Sequence, residues 1–271
     1  MSTGRENLPS LEALCALAVR AGEAILEVYA REDFEVACKS DDSPLTAADL
    51  AAHRLIVAGL RELTPEIPVL SEESADIAWD TRRQWSRYWL VDPLDGTREF
   101  LKRNGEFTVN IALVDGHRSV MGVVLAPVTG ELFFASADAG AFMRRDGRTT
   151  PLRTRTPASP VVVAGSRSHG SARQAELLSG IGEYTSVAMG SSLKFCLIAR
   201  GEADLYLRAG PTSEWDTAAA HCVLEQAGGA VTQLDGSPLV YNTKDSLLNP
   251  EFLAVGDPSC DWPGRLSGTR S

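Results

Sequence analysis

The sequence predicts two lobes, an α+β lobe over residues 1–155 and an α/β lobe over residues 156–271. Three observations predict this. Near the start, apolar residues recur at helical spacing in two long stretches. Between residues 107 and 143, β-rich runs alternate with Asp-Gly and Thr-Gly turns. After residue 160, strand-like and helix-like stretches alternate, the pattern of an α/β lobe.

Residues 1–9 read as a frayed tail. Ser10 is placed to cap a helix whose apolar positions are Leu11, Leu14, Ala18, Ile25 and Leu26. Val36-Ala37-Cys38 reads as a short strand, and Lys39 to Pro44 as a polar loop. Thr46-Ala47-Ala48-Asp49 has the form of a capping box, in which the Thr hydroxyl and the acidic side chain three residues on satisfy each other's backbone amides. The helix it opens carries Leu50, Leu55, Ile56, Leu60 and Leu63, and Pro65 and Pro68 close it. Val69-Leu70 is a short strand with Ser71-Glu72-Glu73-Ser74 at its mouth.

Phe107 to Val114, Ser119 to Ala126 and Glu131 to Ala135 then form an antiparallel meander. The polar stretch from Arg144 to Pro160, with Pro151, Pro157 and Pro160, marks the boundary between lobes. In the second lobe the predicted strands are Val161–Val163, Tyr184–Met189, Leu205–Leu207, one at Val231, and Phe252–Val255. The predicted helices are Ser171–Leu178, Ser191–Ala199 and Trp215–Gln226, the last ended by Gly228-Gly229. The chain shows no internal repeat and no low-complexity tract.

Bulk properties narrow the possible partners. The 271 residues suffice for one large domain or two modest ones sharing a cleft. A net charge of -10 without a basic run argues against duplex nucleic acid and against an anionic membrane surface. No apolar run approaches the roughly 20 residues needed to cross a bilayer, and the start carries no apolar core of a signal peptide. The five cysteines (Cys15, Cys38, Cys196, Cys222, Cys260) are odd in number and scattered, which suggests neither a disulfide framework nor a zinc site. A reducing cytoplasm is the simplest location, with the protein free or peripheral to the inner membrane. The sequence sets no oligomeric state.

The chemistry concentrates in Val91-Asp92-Pro93-Leu94-Asp95-Gly96-Thr97. Two carboxylates three apart, around a proline and before an Asp-Gly, make a poor core and a good hard-cation site. Magnesium takes oxygen ligands and keeps waters and substrate phosphates in its shell. A Gly-Thr opening a helix offers backbone amides to an anion. Taken alone, Asp95 reads equally well as a helix N-cap. Glu72 and Glu73 end a second strand; adjacent side chains diverge, so at most one is a ligand, and Glu72 is favoured. Asp216, at the start of a helix, and Asp49, in its capping box, are each explained by capping. Together Asp49, Glu72, Asp92, Asp95 and Asp216 would crowd one cleft with anions, which two or three divalent ions or raised pKa values would relieve. Two metals about 4 Å apart suit in-line displacement at phosphorus.

His53 and His221 fall in helices and His117 in a turn, where structural roles are expected. His169 follows a strand in Ser166-Arg167-Ser168-His169-Gly170, and strand ends in α/β lobes face ligands. Gly190-Ser191-Ser192-Leu193-Lys194 is a second such junction, with a Lys to meet a phosphate, and Arg208 ends the next strand.

At these residues the chain resembles the lithium-sensitive, magnesium-dependent phosphomonoesterases, the superfamily of inositol monophosphatases and fructose 1,6-bisphosphatases. The carriers are Glu72, Asp92-Pro93-Leu94-Asp95-Gly96-Thr97 and Trp215-Asp216. Further stretches, from Pro68-Val69-Leu70-Ser71-Glu72-Glu73 through Lys102–Asn110 to Gly190–Cys196, are similar to the bacterial 3′(2′),5′-bisphosphate nucleotidases of the CysQ type. The resemblance runs from about residue 40 to about residue 256. It implies a layered α-β-α-β-α sandwich with the site between lobes. It implies hydrolysis of the 3′-phosphate of adenosine 3′,5′-bisphosphate to AMP and phosphate, in the recycling of a nucleotide left over from sulfur assimilation. It also implies that Glu72, Asp92, Asp95, Asp216 and the Leu94 carbonyl hold two or three Mg2+, and that Thr97 and Asp49 activate water. Gly96 and Thr97 would hold the scissile phosphate, with Ser191, Lys194, Arg208 and His169 on the nucleotide side. An inositol monophosphatase is the alternative within the class. A cation-binding protein without turnover is the alternative outside it, and the presence of both Thr97 and Asp49 counts against that reading.

Overall fold

In the strand Arg87–Asp95 alternate side chains enter different cores, and that alternation positions everything else. The computed structural model describes residues 8–31, 36–38, 44–166 and 172–266. Its elements are α1 (Leu11–Tyr29), β1 (Val36–Cys38), β2 (Pro44–Thr46), α2 (Ala47–Leu63), β3 (Val69–Ser71), α3 (Trp79–Arg82), β4 (Arg87–Asp95) and α4 (Thr97–Leu101). They continue as β5 (Thr108–Asp115), β6 (Arg118–Ala126), β7 (Glu131–Ser136), β8 (Gly140–Arg145), β9 (Arg148–Pro151) and β10 (Val161–Ser166). The chain completes itself with α5 (Ala172–Ser179), β11 (Tyr184–Met189), α6 (Leu193–Ala199), β12 (Leu205–Arg208), α7 (Glu214–Gln226), β13 (Ala230–Gln233), β14 (Phe252–Val255) and α8 (Trp262–Leu266).

Strands β3 to β9 form a seven-stranded sheet in sequence order, antiparallel except for the parallel β3–β4 pair. A five-stranded sheet has the order β11-β10-β12-β14-β13. Because side chains alternate across a strand, β4 sends Trp89 and Val91 one way and Tyr88 and Leu90 the other. Trp89 and Val91 pack with Leu14, Ile25, Ile56 and Leu60 of α1 and α2. Tyr88 and Leu90 share a core with Phe195 and Ile198 of α6, Ala219 and Val223 of α7, and Tyr206 and Phe252 of the second sheet. The outer face of the second sheet buries Val163, Leu207 and Leu253 under Leu178 of α5 and Trp262 of α8. The three cores stack as helices, sheet, helices, sheet, helices, the α-β-α-β-α order expected.

Ser10 caps α1 by accepting from the Ala13 amide at 3.2 Å. The capping box of α2 has both of its halves: Asp49 accepts from the Thr46 amide at 2.7 Å, and the Thr46 hydroxyl accepts from the Asp49 amide at 3.4 Å. Glycine decides how closely α7 approaches the first sheet. A β-carbon at Gly122 of β6 would stand 2.2 Å from the Ala219 carbonyl oxygen of α7, far inside van der Waals contact. Gly122→Ala is therefore expected to destabilise the protein by about 3 kcal/mol. An unchanged urea midpoint would show that helix and strand are not in backbone contact.

Several expectations need correction. Pro44, expected in the polar loop, opens β2, and residues 39–43 of that loop lie outside the described residues. The stretch from Arg144 to Pro160 is not all boundary, because β8 and β9 form a hairpin reaching Pro151. Its Thr and Arg side chains are mostly solvent-facing, so it lacks the apolar signature of an inner strand. The second sheet is mixed, since β14 runs antiparallel to both β12 and β13. The helix expected from Ser191 begins at Leu193, and α8 had no counterpart in the reading of the sequence. Among the described residues no helix is long and apolar enough to cross a membrane.

Candidate active site

Residues three apart on a regular strand point to opposite faces, so Asp92 and Asp95 converge only if the strand is irregular. It is: Asp92 pairs with Asn110 and Asp95 with Thr108, so three residue steps on β4 oppose two on β5. The extra residue is a β-bulge at Pro93-Leu94. Proline has no amide to give the ladder, and a bulge tolerates it. The Leu94 amide, freed from the ladder, donates to Asp92 Oδ1 at 3.0 Å. Leu94 keeps its side chain in the core under α1 and α2, and the bulge turns Asp95 to the face of Asp92, toward α6 and α7. The sequence reading placed the pair in a strand-to-helix turn; the bulge is the actual device. Asp95 does not cap α4, because the cap residue is Gly96, held at φ +94°.

The other carboxylates arrive from neighbouring elements. Glu72 begins the single 3-10 turn after β3, which lies beside β4. Asp216 sits in the first turn of α7, where it also accepts from the Ser213 amide at 2.9 Å. Both the capping explanation and the position in the cleft hold for it. Asp92 has the Glu72 carboxyl as a neighbour, and that acid opposes its ionisation. Burial first, then the charges of Glu72, Asp95 and Asp216, pushes Asp92 well above the usual carboxylate range. Burial and the charges of Asp95 and Glu72 do the same to Asp216. Burial lifts Asp95 to about 6, against the opposing pull of Lys194 and the Ser192 amide.

Among the described residues no group of three or more Asp, Glu, His or Cys side chains is gathered closely enough to hold a metal ion by itself. The carboxylates instead repel across an open wall. Hard oxygen donors of this kind suit magnesium by their chemistry, since it is held by a few carboxylates and keeps water and phosphate oxygens as its remaining ligands. Among the described lining residues there is no thiolate or imidazole of the kind softer metals prefer.

A pocket of about 280 Å3 opens against this wall. Asp95, Gly96, Thr97 and Asp216 line it together with Ser191, Lys194, Tyr206 and Arg208, and Arg98 and Thr212 join them. Lys194 is buried; its Nζ donates to the carbonyls of Met189 at 3.3 Å and Ser191 at 2.5 Å, and burial lowers its pKa to about 8. Arg208 donates to the carbonyls of Gly210 at 3.2 Å and Pro211 at 2.8 Å. Ser191 takes a left-handed backbone conformation, φ +47°. Asp49 is buried at the base of α2, and α4, which begins at Thr97, packs beside β2. His169 lies outside the described residues. His53, His117 and His221 have structural partners in Ser71, the Tyr241 carbonyl and the Tyr241 hydroxyl.

Reading the sequence alone missed Thr108, Asn110 and Ser192, which surround Asp95. The Ser192 amide donates to Asp95 Oδ2 at 2.6 Å, with Thr108 Oγ1 at 3.4 Å and Asn110 Nδ2 at 3.5 Å from the same oxygen. A signal was present: Thr108 and Asn110 are polar at alternate positions of an otherwise apolar strand, so they share one face with no apolar reason to be there.

The chain was compared with known proteins. Residues 6–256 match the model of the inositol monophosphatase family. A 3′(2′),5′-bisphosphate nucleotidase CysQ of Salmonella typhimurium is 52% identical over 243 residues, covering 89% of this chain and 98% of that protein. The protein of the same name from Escherichia coli is 50% identical over the same span, with the same coverage. Among solved structures, CysQ from Bacteroides thetaiotaomicron superposes with a TM-score of 0.81 at 42% identity, covering 90% of this chain and 97% of that one.

Proposed function

Because this chain belongs to the inositol monophosphatase family, we propose that it is a magnesium-dependent 3′(2′),5′-bisphosphate nucleotidase. It removes the 3′-phosphate of adenosine 3′,5′-bisphosphate to give AMP and phosphate, and so clears a nucleotide left over from sulfur assimilation. The observation that carries the phosphatase reading is the pocket itself. It brings the carboxylates of Asp95 and Asp216, the first opposing ionisation of the second, together with Lys194, Arg208 and Thr97. The nucleotide as substrate rests on the extent and identity of the match to the nucleotidases.

In this reading Glu72, Asp92, Asp95, Asp216 and the Leu94 carbonyl hold two or three Mg2+. The metal supplies Lewis acidity to the phosphoryl group and lowers the pKa of the attacking water. The chain's residues do the rest. Gly96 and Thr97 present backbone amides to the scissile phosphate, a use supported by the φ +94° of Gly96 at the start of α4. Asp49 orients the Thr97 hydroxyl toward the water. Ser191, Lys194 and Arg208, with His169, take the nucleotide side, and the charge of Asp95, which favours the Lys194 cation against the opposing effect of burial, supports a cation held there. The two-lobe division at residue 155 is supported by sheet membership, since the first sheet ends at Pro151 and the second starts at Val161. A cytoplasmic location is supported by the free thiols of Cys15, Cys196, Cys222 and Cys260.

The test is phosphate release with magnesium from adenosine 3′,5′-bisphosphate and inositol 1-phosphate at equal concentration. The expected result is a preference of at least tenfold in kcat/KM for the nucleotide, with inhibition by lithium. Preference for the inositol ester would keep the metal wall and overturn the nucleotide side.

A further inference from the structure

Asp95 is held by groups outside the proposed substrate and metal sets, and they come from β5 and from the turn before α6. The Ser192 amide donates to Asp95 Oδ2 at 2.6 Å across 97 residues of sequence. The Ser192 hydroxyl donates to Asn110 Oδ1 at 2.8 Å and lies 2.9 Å from Thr108 Oγ1. All three side chains are buried: Thr108 is 0%, Asn110 1% and Ser192 2% exposed. Buried amides and hydroxyls must spend their donors and acceptors on one another. With Asn110 Oδ1 taken by the Ser192 hydroxyl, the amide has a fixed orientation, and its Nδ2 faces Asp95 Oδ2 at 3.5 Å.

We propose that Ser192 is a positioning residue for the metal wall, acting through Asn110. Its amide binds Asp95 Oδ2, and its hydroxyl fixes the Asn110 amide so that a donor faces the same oxygen. Asp95 Oδ2 is thereby committed to protein donors, and Oδ1 is left to face the cleft. The arrangement also ties the start of α6 to β5. A second tie, from the Gly190 amide to Glu106 Oε2 at 2.8 Å, fixes the adjoining turn. Without the Ser192 hydroxyl, Asn110 Oδ1 loses its donor. The amide is then free to turn over, setting an oxygen lone pair against Asp95 Oδ2. Groups that orient a ligand in this way influence metal affinity by about 10- to 100-fold.

The proposal rests on the magnesium reading above, so its test reads magnesium binding directly. Calorimetric Mg2+ titrations without substrate would compare wild type, Ser192→Ala, Asn110→Leu and the double variant, each checked for folding by circular dichroism. The expected result is a magnesium dissociation constant raised about tenfold or more in Ser192→Ala. The double variant should be no weaker than the worse single, because residues that act through one another are not additive. Unchanged magnesium affinity in Ser192→Ala, or additive losses in the double variant, would overturn the proposal. If Ser192→Ala does not fold, Thr108→Val removes the adjoining hydroxyl with little change of shape. A several-fold weaker magnesium affinity in it supports the network, and wild-type affinity refutes it. If wild type itself binds no magnesium, the metal reading fails, and this inference fails with it.

Discussion

Asp92→Asn is expected to reduce magnesium-dependent kcat by about three orders of magnitude or more, the scale lost when a group stabilising transition-state charge is removed. The same change should leave the metal-free protein at least as stable as wild type. Asp92 is buried against Glu72, Asp95 and Asp216, and each of these charges opposes its ionisation. An amide in its place keeps the acceptor that the Leu94 amide uses. Its NH2 can donate to the neighbouring Glu72 carboxyl. Loss of activity together with an equal or higher melting temperature in chelator distinguishes removal of a ligand from damage to the fold. A variant that turns over near the wild-type rate would remove Asp92 from the site. Thr97→Ala makes the contrast, since it should lose turnover while magnesium still raises its melting temperature.

The opposed behaviour of activity and stability follows from how the site is built, and the sequence shows that construction unevenly. The acids were legible as candidate ligands, because Asp92, Asp95 and Glu72 border apolar strands where a core offers them nothing. Their convergence was less legible. A spacing of three suits a turn as well as a bulge, and only the pairing of Asp92 with Asn110 and Asp95 with Thr108 distinguishes the two. The α-β-α-β-α layering was expected from the family resemblance, and the continuous apolar runs of β4 and β5, which require cover on both faces, agree with it. The mixed direction of the second sheet could not, because a strand–helix alternation predicts parallel neighbours and says little about how β14 returns between β12 and β13.

Ser192 marks the limit more sharply. In the sequence it is one of two serines before a helix, and an N-cap explains a serine there. Its hydroxyl instead bonds to Asn110, 82 residues earlier, and its amide to Asp95. Local propensity carries no information about a partner that becomes a neighbour only when two sheets close on shared helices. Lys194 shows the same effect. The reading of a lysine free to meet phosphate is qualified by its two bonds to backbone carbonyls, which fix its ammonium group at the pocket wall.

The same electrostatics predict how pH and magnesium should trade against each other. Burial holds Asp95 at about 6 in the folded protein, whereas an unfolded aspartate titrates near 4. Between those values the folded state binds the proton that the unfolded state has lost, so stability falls as pH rises. Once Asp95 ionises, the penalty is on the order of 3 kcal/mol, and it is absent below about pH 4. Asp92 and Asp216, shifted in the same direction, extend the decline to higher pH. Carboxylates with lowered pKa values, such as Glu225, act oppositely, so the informative quantity is the difference between wild type and Asp95→Asn in chelator. The melting-temperature advantage of Asp95→Asn should widen as pH rises from about 4 to about 7. If magnesium takes the ionised carboxylates as proposed, it displaces their protons, so its stabilisation of wild type should grow over the same range and be much smaller in Asp95→Asn. A melting-temperature gap that stays flat across this range would mean that Asp95 is ionised without penalty in the folded protein. The wall would then carry no repulsion for a cation to relieve.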